Sequence, residues 1–152
     1  MPSATERAAL AADANALAQT QNIRSLFRPQ FVGPVSGRRG AAGMVTGKGL
    51  MKGEAEFRGG LSIFRNAVIN ALSGAAVSES EAKRMRSQIP DENDPSGVFK
   101  AKLGQTENNL RRVAELRRQT FSETGLDLSG LAPLPGEVVR WGRDAQGRPV
   151  RL

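Results

Sequence analysis

The 152-residue chain carries 22 Lys and Arg against 15 Asp and Glu, a net charge of +7 and a pI near 11.0, so an acidic partner is expected: nucleic acid, anionic lipid or an acidic protein surface. It has no Cys, His or Tyr, which excludes a disulfide framework, a thiolate metal site and the commonest general base. Length alone indicates one domain, but 17 Gly, 8 Pro and 5% aromatic residues predict a small independent core that leans on neighbours.

Residues 1–27 open without the apolar segment of a secretory signal, which implies synthesis in the cytoplasm. From Ser3 to about Thr20 the chain is Ala-rich, with Ser3 and Glu6 spaced as a capping box. Alanine favours helix but buries little surface, so this reads as a marginal helix ordered by a neighbour, or as a frayed terminus.

Residues 28–53, "RPQFVGPVSGRRGAAGMVTGKGLMKG", carry Gly and Pro too often for a helix and lack strand alternation. The stretch is basic, and no acid lies between Asp13 and Glu54. It is expected to be an extended arm laid across a partner surface. Phe31, Val32, Pro34, Arg38 and Arg39 are its candidate partner contacts, and Lys48 and Lys52 candidate nucleic-acid contacts.

Residues 54–122 hold the strongest periodicity. Phe57, Leu61, Phe64, Val68 and Leu72 form one stripe of a helix from Glu54 to Ser73, weakened at Gly59-Gly60, a pair that either kinks the helix or admits another backbone, and stopped at Gly74. Ser78 and Glu81 suggest a capping box for a short helix from Glu79 to about Gln88, ended by Pro90. Asp94 is the expected cap of a further helix with Pro95 at its first position, and Asp91, Glu92 and Asp94 suit its positive end. The same acids follow the outline of a metal-binding loop but lack the glycine and distal Glu of a calcium site. In the helix from Pro95 to about Phe121, Phe99, Leu103, Thr106, Leu110 and Val113 step by threes and fours, as in an antiparallel helix seam. Arg111, Arg112, Arg117 and Arg118 form either a solvated face or a phosphate-binding one.

Residues 123–152 begin with a cap at Gly125 and a Pro/Gly-rich linker. Val138–Trp141 and Arg148–Leu152 flank Asp144–Gly147 as a small hairpin or as a strand added to a partner's sheet. Trp141 and Val150 are candidate partner contacts; the single Trp either fills a partner's pocket or caps the helices.

Chemistry finds little purchase. "GMVTGKG" has the wrong spacing for a phosphate loop and Gly49 where Ser or Thr is required. "GRRGAAG" lacks a strand–turn–helix setting, and Ser80–Lys83 lacks companion motifs. No catalytic residue, cofactor or metal is therefore expected. No apolar run approaches the roughly 18–20 residues of a membrane span. The helices on either side of Gly74 outline a helix-turn-helix, but the second begins with acids that would face phosphate.

"FVGPVSGRRG", followed by "FRGGLSIFRNAVINALSGAAVSESEAKRMRSQIPDENDPSGVFKAKLGQTENNL", resembles a segment of structural proteins of tailed bacteriophages. The likeness lies in motif order: a Val-Gly-Pro…Gly-Arg arm, a long helix reaching a small-residue break, a Ser-Glu-x-Glu helix, a Pro-Asp…Asp-x-Pro corner, and a helix opening with Phe then Lys-x-Lys-Leu. It spans roughly Phe31 to Leu110 and implies a virion component of the portal, tail or internal ejection apparatus. Its partners would be other phage structural proteins, further copies of itself in a symmetric assembly and packaged DNA. The combined expectation is a mainly α protein: a helical hairpin of two long helices with a short intervening helix, an extended arm and a hairpin-like tail. It would join neighbouring virion subunits, with a basic DNA-binding or DNA-packaging accessory protein as the alternative.

Overall fold

In the first helix, Leu10, Asp13, Ala16, Leu17, Thr20 and Ile23 recur at helical spacing and face inward. A computed structural model describes residues 3–73, 78–128, 131–137, 141–146 and 148–151, apart from the side chains of residues 41, 81, 82, 141, 150 and 151. Helix α1 spans Ala4–Leu26 and begins with the capping box expected of Ser3 and Glu6. It is no frayed terminus. Its neighbours lie in the same chain, because α1 packs along both α3 (Glu54–Ser73) and α5 (Ser96–Glu123).

The core is accordingly a three-helix arrangement rather than a hairpin of two, with α1 as the shared member. Phe57, Leu61, Phe64 and Val68 of α3 meet Phe99, Leu103, Leu110 and Ala114 of α5 in one cluster with Ala16, Leu17 and Ile23. Val113, expected on the inner stripe, is half-buried, and Ala114 takes the inner place. Gly60 lets α1 approach closely: a Cβ there would lie 3.2 Å from Leu26 Cδ1 and 3.3 Å from Ile23 Cδ1. At one end Phe27 stacks on Phe99 with centroids 5.0 Å apart, while Phe31 and Phe99 flank Phe57 at 5.6 and 5.7 Å.

Residues 28–53 are not an extended arm. A 3-10 turn at Pro29–Phe31 leads into α2, Pro34–Thr46, with Pro34 in its first turn and Gly47 closing it at φ 68°. Helix α4, Glu79–Gln88, and the corner at 89–95 link α3 to α5, and Ile89 and Pro90 are buried. Asp94 does not cap α5. Pro95 occupies that position, while the Asp94 carboxylate accepts the Asp91 N–H at 2.8 Å and pairs with Lys102 at 3.0 Å. The stop at Gly74 lies outside the described residues, as does the Glu81 side chain of the second capping box.

After α5 the chain returns along it. Leu134 is buried in the core, and Arg111 and Arg118 donate to the carbonyls of Pro135 and Ala132. Strands β1 (Trp141–Arg143) and β2 (Pro149–Arg151) then pair antiparallel, Gly142 opposite Val150. Asp144 organises their connection by accepting the Gln146 and Arg148 N–H groups.

Candidate functional site

Glycine at positions 37, 40 and 43 recurs every third residue, which on a helix of 3.6 residues per turn keeps all three on one side. In α2 these glycines form the inner face, and each meets a solid neighbour. A Cβ at Gly37 would collide with the Asn93 side chain and lie 3.0 Å from the Glu92 carbonyl. At Gly40 it would fall on the Arg58 guanidinium, and at Gly43 it would lie 2.8 Å from both Leu50 Cδ2 and the Lys48 carbonyl. Glycine therefore serves close approach here, at a cost in helix propensity that the contacts offset.

A buried ion pair anchors this approach. Glu54 and Arg58, one turn apart on α3, are 0% and 8% exposed, and Glu54 Oε1 accepts from Arg58 Nη2 at 2.9 Å. The same Nη2 donates to the Ser36 carbonyl of α2 at 2.8 Å and to the Phe31 carbonyl at 3.4 Å. Glu54 Oε2 accepts the Met51 N–H at 2.9 Å and faces Arg39 Nη2 at 3.7 Å. Burial alone would raise the Glu54 carboxyl, but the Met51 N–H and the Arg58 and Arg39 guanidinia more than offset it and hold it below its ordinary value. The Gly33 N–H, presented at φ 118°, donates to the Glu92 carbonyl at 2.9 Å and ties the start of α2 to the corner. That corner is held to α3 by Arg65, which pairs with Asp91 and Glu92 and donates to the Pro90 carbonyl. Burial acts to raise Asp91 too, but bonds from Asn93 and the charge of Arg65 leave it lowered.

With glycine turned inward, most of the other described side chains of α2 are exposed. Val35 and Val45, 81% and 87% exposed, are the most exposed large apolar side chains among the described residues. Arg38, Arg39 and Ala42 are exposed on the same arc, and Lys48 and Lys52 follow in the exposed loop to α3. This cationic, apolar outer face of α2 is the candidate site.

The sequence-derived candidates separate into four groups. Phe31 and Val32 are buried in the chain's own core and do not face a partner. Pro34, Arg38, Arg39, Lys48 and Lys52 are exposed on or next to α2. Of the α5 arginines only Arg112 is exposed. Arg111 pairs with Glu107 at 3.0 Å, which also holds Arg24, and Arg118 reaches Glu137 at 3.7 Å. Arg117 pairs with buried Asp13 and donates to the Ala9 and Ala71 carbonyls, joining α1, α3 and α5. Trp141 and Val150 have paired backbones, but their side chains lie outside the described residues.

Among the described residues no three His, Cys, Asp or Glu side chains gather to hold a metal ion, and no helix is long and apolar enough to cross a membrane. A cleft of about 430 Å³ opens between the end of α3, α4 and α5, lined by Leu72, Met85, Ile89, Lys102, Thr106 and Asn109 among others. Among the described residues its one titratable lining side chain, Lys102, is already paired with Asp94. No family model matches the chain, and no curated protein or solved structure shows significant similarity to it.

Proposed function

We propose that the chain is a non-enzymatic structural subunit of a tailed-phage particle that joins neighbouring subunits of the portal, tail or ejection apparatus. The observation that carries this reading is the outward face of α2: a helix that turns its glycines in and leaves Val35 and Val45 in water. Exposed apolar side chains grouped with cations on a firmly seated helix suit a protein contact. Three of the shifted acids fit the same reading: Asp13 and Asp91 pair with arginines from distant segments, and the Arg58 that Glu54 holds donates to the Ser36 carbonyl of α2. The motif order from Phe31 to Leu110, which resembles phage structural segments, supplies the setting.

Footprinting of the chain, free and in purified particles, tests the proposal. Val35 and Val45 are expected to lose solvent reactivity in the particle; a chain absent from particles would overturn the reading. The second reading, a DNA-binding accessory protein, draws on α4, where Lys83, Arg84 and Arg86 are exposed on one short helix. It predicts sequence-blind duplex binding that weakens steeply with salt.

A further inference from the structure

We infer that the outer face of α2 is a docking strip for an acidic amphipathic helix of a neighbouring protein subunit, with Val35 and Val45 as apolar anchors and Arg38 as the charge that selects the partner. This deepens the assembly reading and takes its setting from it.

At 100° per residue, Val35, Arg38, Ala42 and Val45 fall within one arc, and all four are exposed. The valines stand ten positions apart, which spaces them by about 15 Å along the axis. A partner helix lying along α2 meets both with side chains two to three turns apart. Charge narrows the partner further. The sequence has no acid between Asp13 and Glu54, and Glu54 is buried against Arg58, so the exposed charges of α2 and of the loop that follows it are all cationic. A second copy docking face to face would crowd the Arg38 and Arg39 side chains of both copies into one patch, which disfavours self-association here. A nucleic acid would satisfy the arginines through phosphates but leave the valines in water. A protein surface carrying both carboxylates and apolar side chains completes the strip. One helix face is small beside a standard protein interface, so a single contact is weak, and repetition around a symmetric assembly supplies the strength.

The test uses the intact chain and a labelled synthetic helical peptide with Leu at every third or fourth position and Glu on the flanks. Controls are the same peptide with Lys replacing Glu, and a DNA duplex. The Glu peptide is expected to bind and the Lys peptide not. Arg38→Glu, and Val35→Gln with Val45→Gln, are each expected to weaken peptide binding about tenfold while thermal melting stays unchanged. Absence of Glu-peptide binding overturns the inference, as does binding indifferent to both variants. Duplex binding that depends on Arg38 but ignores the valines assigns the strip to nucleic acid instead. The peptide assay and the particle footprint fail independently: a chain missing from particles removes the virion setting, whereas peptide indifference removes only this surface.

Discussion

Helices α1 and α2 are both built largely from small residues, yet they present opposite sides to the rest of the molecule. Helix α1 buries Leu10, Leu17 and Ile23 and leaves most of its remaining alanines at the surface. Helix α2 buries glycine against Arg58 and the 91–94 corner and leaves Val35 and Val45 exposed. Their buried ion pairs differ as well. Glu54 has both oxygens engaged and is held below its ordinary value, whereas Asp13 bonds Arg117 through Oδ1 and leaves Oδ2 without a partner. Burial therefore dominates at Asp13 and raises its carboxyl in spite of the Arg117 charge. The lesson is that α1 is held by apolar packing and α2 by a saturated polar clamp.

The largest expected effect comes from cutting that clamp. Arg58→Ala leaves Glu54 buried beside the more distant Arg39 and is expected to cost about 3–5 kcal/mol, seen in chemical denaturation. A loss under about 1 kcal/mol would show that α2 is held by something else. Leu17→Ala removes a 1% exposed side chain and is expected to cost about 2–4 kcal/mol. Gly40→Ala must displace the Arg58 guanidinium and is expected to cost about 2 kcal/mol, the reverse of the gain usual for Gly→Ala within a helix.

Acid separates the two pairs by sign. Glu54 titrates below its ordinary 4.5, so its contribution is complete above that value and is lost as pH falls through its folded pKa. Asp13 titrates above its ordinary 3.8, so its contribution is present below that value and is lost as pH rises through its folded pKa. In thermal melts, the advantage of the native chain over Glu54→Gln should shrink with acid, while that over Asp13→Asn should grow. Matching trends in both variants would break the contrast. The smallest effect belongs to Val45→Gln, which should leave stability within about 0.5 kcal/mol because the valine packs on little.

Much of α3, α4 and α5 was legible because apolar stripes and turn signals agree along those segments. Phe57 to Val68 and Phe99 to Leu110 pack inward as spaced, and Glu54, Ser73, Glu79 and Gln88 bound their helices as expected. The three-helix core was harder to see, since Ala16 and Thr20 carry part of the α1 stripe without looking apolar. Helix α2 was hidden because glycine normally argues against helix, and its three-residue spacing matters only once Arg58 and Asn93 stand opposite. Glu54 and Arg58 gave no warning of burial, because an i,i+4 pair of opposite charge is ordinarily a surface pair and α2 covers this one only in the fold. Arg111, Arg117 and Arg118 looked like a cationic face because, apart from Glu107 one turn before Arg111, their partners, from Asp13 to Pro135, lie outside α5.

Hydrogen exchange on the isolated chain tests the central claim most directly. If α2 is a docked helix without any partner, the amides from Gly37 to Thr46 will be protected, opening more readily than those of α1 but far more slowly than free peptide. Exchange of that segment at free-peptide rates would contradict the account and return residues 28–53 to an arm that orders only on its partner.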